Sequence, residues 1–116
     1  MTAREILRRE FDAEGGSFLL QARCHANWDW DAFLRLTSAM YDVADEVRGR
    51  PSIETWIVEG FWHCETWIQN WTRHPNSPRP PEAYRDAKEL VHELSYFLFS
   101  GKSHYKDDTL RKKAKG

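Results

Sequence analysis

Ser52–Trp71, SIETWIVEGFWHCETWIQNW, holds four of the chain's six tryptophans, Trp56, Trp62, Trp67 and Trp71. Stepping by about 100° per residue gathers Trp56, Ile57, Gly60, Phe61, Cys64, Trp67, Ile68 and Trp71 on one broad arc. Glu59, His63, Glu65, Thr66, Gln69 and Asn70 fall on the other side, with Trp62 and Val58 among them. Burying a large apolar side chain is worth about 1.5–3 kcal/mol, so such an arc has to be covered by other segments. The stretch predicts a central helix, capped by Ser52, with the rest of the chain packed around it.

Working outward, Asp29–Arg48 is the best-marked neighbour. Asp29 suits the N-cap, and Trp28 before it can staple onto Phe33. Phe33, Leu36, Thr37, Met40, Tyr41, Ala44 and Val47 form its apolar face. Asp31, Arg35, Ser38, Asp42, Asp45 and Glu46 form an acidic opposite face, relieved by an Asp31–Arg35 pair at i,i+4. Gly49 sits where a C′ glycine belongs, and Pro51 blocks continuation. Downstream, Thr72–Pro81 carries four of the five prolines and reads as a stiff, extended connector. Glu82–Ser100 follows as a helix started by Pro80-Pro81 and closed by Gly101, burying Tyr84, Ala87, Leu90, Val91, Leu94, Phe97 and Leu98.

The two ends are less regular. Thr2–Glu14 predicts a short helix with Thr2 and Glu5 in a capping-box spacing, ended by Gly15-Gly16. Within Ser17–Asn27, Phe18, Leu20, Ala22 and Cys24 alternate as in a strand, yet Leu, Gln, Ala and Arg favour a helix. A lone strand would have no partner, so a helix or an irregular extended segment is expected. Lys102–Gly116 is polar, charged and aperiodic, and reads as a frayed, flexible tail. The expected fold is all-α: a single-domain antiparallel bundle of three main helices plus a short N-terminal helix over residues 1–101, with the tail at 102–116.

Composition narrows the function. The 116 residues suit one domain with its own core, and the formal net charge is -1. That balance gives no reason to expect nucleic acid or an anionic membrane as partner, apart from the local run Leu110–Gly116. No stretch approaches the about 18 apolar residues of a membrane span, and the first residues open no signal-peptide core. A cytoplasmic protein is expected, with Cys24 and Cys64 reduced.

Motifs for chemistry are sparse. Glu89-x-x-His92 has the spacing of di-iron carboxylate bundles, but such a site needs the motif twice and facing inward. Cys24-His25 and His63-Cys64 could supply zinc ligands in kind. Adjacent helical residues diverge by about 100°, however, so each pair is poorly placed to share one ion. No nucleophile elbow, phosphate loop or dinucleotide fingerprint is present. The expectation is a non-enzymatic protein without cofactor that docks onto a protein partner. An immunity or antitoxin-type inhibitor is its concrete form, with Asp31, Asp42, Asp45, Glu46 and Trp62 at the contact. The alternative is a metal-dependent enzyme or metal sensor using Glu59, His63, Glu89 and His92. A homodimer continuing the tryptophan face is compatible with either.

Overall fold

The structure is a computed structural model, which describes residues 1–25, 27–75, 77 and 81–116. Where local sequence signals were clear, the helices follow them. Helix α1 spans Ala3–Phe11, and the Thr2 hydroxyl accepts from the Glu5 amide at 3.1 Å. Helix α3 spans Trp30–Val47, with the Asp29 carboxylate accepting from the amides of Asp31 and Ala32. Trp28 packs against Phe33 with ring centroids 5.4 Å apart, the staple its position predicts. Gly49 follows α3 at φ +79°, and Gly101 follows Ser100 at φ +75°, both in the left-handed region glycine favours.

Helix α4 spans Thr55–Trp71 and begins three residues after Ser52. Its N-cap is Glu54, which makes no side-chain cap bond because its carboxylate is taken by the Arg4 guanidinium. That cation holds the Glu54 carboxyl below its ordinary value. A 3-10 turn, Pro81–Tyr84, leads into α5, Arg85–Ser100. The expected start at Pro80 lies outside the described residues, as does the side chain of Pro81.

Two segments differ from expectation in ways that matter for function. Phe18–His25 is helix α2, and Phe18, Leu19 and Ala22 are buried while Cys24 is exposed. The alternating pattern was accidental: a helical i, i+1, i+4 set faces the core. Residues 102–116, expected as an aperiodic tail, carry helix α6, Thr109–Lys115, with Leu110 and Ala114 buried. Seven residues give too few turns for a period to show, and a helix this short depends on packing. Among the described residues there are thus six α-helices and no strand. The radius of gyration, 13.6 Å, matches the roughly 13.4 Å of one folded body of this length.

The centre of the packing is α3 rather than α4. Helix α3 packs against α1, α2, α5 and α6, while α4 lies mainly against α5. Nine side chains of α3 are buried but only Ile57, Phe61, Cys64 and Ile68 of α4. Ala32, Ala39 and Ala44 keep α3 slim, so neighbours can approach it from several sides. The indoles of Trp56, Trp67 and Trp71 are half-buried against the core and act as a cover.

One buried carboxylate joins α1 to α2. Glu10 is buried, and its Oε2 accepts the Phe18 amide at 2.9 Å, at the free N-terminal end of α2. Burial raises the Glu10 pKa above its ordinary 4.5. An acid raised in the folded state binds more protons there than in the unfolded chain. Stability should therefore fall as pH rises from about 4.5 through the folded value. Glu10→Gln keeps an acceptor for Phe18 and removes the ionisation. Urea unfolding as a function of pH is expected to show that decline flattened in the variant, with the remaining carboxylates unaffected.

Candidate functional site

The cap at Asp29 fixes where α3 begins, so Trp30 and Asp31 stand in its first turn. Trp30, Leu34 and Thr37 then follow at i, i+4 and i+7 along one ridge. Helix α5 brings Asp86, Ala87, Glu89 and Leu90 opposite this ridge, and the C-terminal segment adds Tyr105 and Lys113. Between them lies a groove of about 430 Å³ with Phe33 in its lining. Trp30 and Leu34 remain 41% and 38% exposed at its mouth.

The polar groups around the groove are fixed in specific ways. Tyr105 donates to Glu89 Oε1 at 2.6 Å, and Lys113 Nζ lies 5.2 Å over the Tyr105 ring. Burial, then the Glu89 carboxylate, raises the Tyr105 pKa, so the phenol stays a donor. Thr37 donates to the carbonyls of Ala114 and Leu34, so its hydroxyl is engaged rather than poised as a nucleophile. Among the described residues, no cysteine or histidine lines the groove. Its chemistry is that of an apolar slot with carboxylates at the rim.

The acidic face expected at the contact is largely engaged within the chain. Asp42 pairs with Lys115 at 2.8 Å and Asp45 with Arg48 at 3.1 Å. Glu46 pairs with Arg4 at 2.9 Å and lies 3.9 Å from Arg50. Asp31 is the member of the set that lines the groove, and Arg35, its expected partner, donates to the Gly16 carbonyl at 2.8 Å. Trp62 is 61% exposed, as its place on the polar side of α4 implies, but it is not part of the groove lining. On the α4 face expected to continue into a homodimer, Trp56 packs on Phe11 and Arg8, and Trp71 on Trp28 and Trp67, with all three indoles of that face half-buried.

The residues of the metal alternative have separate surroundings. Glu89 holds Tyr105, and His92 Nδ1 lies 2.6 Å from Glu65 Oε1. Glu59 and His63 line a different hollow, beside Arg8, Asp12 and Trp56. Among the described residues no group of three or more His, Cys, Asp and Glu side chains is placed to hold a metal ion. Projection onto single helices left open whether α4 and α5 brought the four together, and the packing sends them to different neighbours.

The two cysteines of the paired reading sit in different surroundings. The His25 side chain lies outside the described residues. Cys64 is fully buried, and burial pushes its thiol up to about 12, so it stays protonated and shielded from reagents in the folded chain. Cys24 is exposed. A thiol reagent is expected to modify Cys24 in the folded protein and Cys64 only on unfolding; prompt native labelling of both would contradict this burial.

Three groove residues, Trp30, Tyr105 and Lys113, were not singled out by sequence reasoning. A faint signal for the last two exists in Leu110 and Ala114, an i,i+4 apolar pair just after Asp107-Asp108. Among the described residues no helix is long and apolar enough to cross a membrane. Comparison with known proteins finds no matching family model, no matching curated protein and no matching solved structure.

Proposed function

We propose that the protein is a small, non-enzymatic protein-binding module acting in the cytoplasm, which occludes the surface of a protein partner through the groove between α3 and α5. The observation that carries this reading is the exposure of Trp30 and Leu34 at the mouth of an apolar slot rimmed by Asp31 and Asp86. Tryptophan beside a desolvated pocket is the commonest kind of binding hot spot. Carboxylates at the rim speed encounter with a basic partner and disfavour an acidic one. An inhibitor of the immunity or antitoxin type, covering a basic cleft, is the concrete form of this mechanism. Asp42, Asp45 and Glu46 then serve mainly the chain's own ion pairs, and Trp62 offers a separate contact on α4.

The test is affinity capture from the native host, followed by titration of the captured partner. Trp30→Ala is expected to weaken binding at least tenfold, about 1.4 kcal/mol or more. Asp31→Lys should slow association and reduce its salt dependence. Equal affinity for wild type and Trp30→Ala would remove the groove from the contact, and loss on Trp62→Ala instead would move it to α4. Sedimentation of the pure protein separates a second copy of the chain from a different partner.

A further inference from the structure

The groove is the open half of a longer face whose other half is already occupied. Helix α6 lies against α3 and α5, beside the open part, through Leu110 and Ala114. The Thr37 hydroxyl donates to the Ala114 carbonyl at 2.8 Å, tying the last turn of α6 to α3. Lys115 Nζ then donates to Ser38 Oγ at 3.0 Å and Asp42 Oδ2 at 2.9 Å. The connecting segment is anchored by acids of α5: His104 Nδ1 lies 2.9 and 3.0 Å from the two oxygens of Glu93, and Tyr105 donates to Glu89. What sits on the α3/α5 face is thus a short basic helix with two apolar contacts and a cation paired to an α3 carboxylate.

We infer that the α3/α5 face is a receptor for a basic amphipathic helix, and that α6 is its built-in occupant, which a partner helix of the same chemistry displaces. The inference rests on the protein-binding reading of the groove and names the kind of partner it takes. Charge complementarity supports it from both sides. The face presents Asp31, Asp42, Asp86 and Glu89, while α6 reads TLRKKAK with four cations in seven residues. Among the described residues, α6 is also the shortest α-helix. At seven residues it is far below the roughly 12–15 at which an isolated helix becomes even marginal in water. Its docking depends on the face beneath it, and a longer partner helix could cover both the α6 site and the open groove at Trp30. Tethering gives α6 an effective concentration on the order of millimolar, so weaker competitors are excluded.

The experiment uses a fluorescein-labelled peptide of residues 102–116 and the full-length chain. Fluorescence anisotropy should show the peptide binding Leu110→Ala/Lys115→Ala at least tenfold more tightly than wild type, because the variant's own α6 releases the face. A peptide with its basic residues changed to Gln should not bind. A folded double variant that fails to bind the peptide, or binds the neutral peptide equally, overturns the inference. Should the double variant not fold, amide exchange of the wild type with millimolar peptide decides: exchange across residues 109–115 should accelerate, and no change overturns the inference. Because the peptide assay contains no natural partner, its failure leaves the Trp30-dependent capture standing as a separate result.

Discussion

Phe18→Ala is expected to lower folding stability by about 3–5 kcal/mol, the range for removing a fully buried aromatic ring. The ring is fully buried and packs edge-on against Trp28, centroids 4.7 Å apart, and against Phe33 at 5.2 Å. Trp28 in turn stacks on Trp71 at 5.7 Å and touches Tyr84 at 4.7 Å, so one aromatic cluster joins α2, α3, α4 and the turn before α5. The buried indole N–H of Trp28 has no hydrogen-bond partner among the described residues, and ring contacts fix its position. Removing Phe18 leaves a void that the surrounding helices can close only in part. Thermal unfolding followed by circular dichroism should show the midpoint lowered by about 10–20 °C. A shift of a few degrees would mean that α2 is not part of the cooperative core.

Gly60→Ala is expected to destabilise by about 1–3 kcal/mol, although helix propensity by itself favours alanine by about 1 kcal/mol. The reason is the Phe11 ring of α1, which lies over Gly60 of α4. A Cβ at Gly60 would lie 2.1, 2.3 and 2.7 Å from three ring carbons of Phe11. That ring is held edge-on by Phe61 at 5.9 Å and Trp56 at 6.4 Å, so it has little room to retreat. Propensity and packing therefore predict opposite signs, and urea unfolding decides between them. The double variant Phe11→Ala/Gly60→Ala should show coupling of about 0.5–3 kcal/mol, since removing the ring removes the clash. A stabilised single variant would mean that α1 does not close onto α4 at this point.

The contrast at Gly60 shows how far single-segment reading reaches. Its place on the apolar arc of α4 was legible, but that another ring occupies the space above it was not. The same holds for the candidate site. Asp31, Asp42, Asp45 and Glu46 were legible as one acidic face, because helical spacing is a local property. The partners of Asp42 and Glu46 were not, since Lys115 and Arg4 lie 73 and 42 residues away from the carboxylates they meet. Glu89 and His92 were legible as an i,i+3 pair, and packing then gave one to Tyr105 and the other to Glu65.

By itself the sequence determined what local physics controls: the caps at Thr2 and Asp29, the glycine stops at Gly49 and Gly101, and the apolar faces of α3, α4 and α5. These depend on groups within one or two turns of each other, where backbone geometry fixes who can meet. Tertiary structure decided what covers each face. It made α3 the centre, because slim alanine-bearing faces admit neighbours on several sides whereas tryptophan faces make a cover. It turned Phe18–His25 into a helix, with Glu10 of α1 accepting the amide at its first residue. It raised α6 from a stretch too short to fold alone by supplying α3 and α5 beneath it, and with α6 and the segment before it came Tyr105 and Lys113 of the groove.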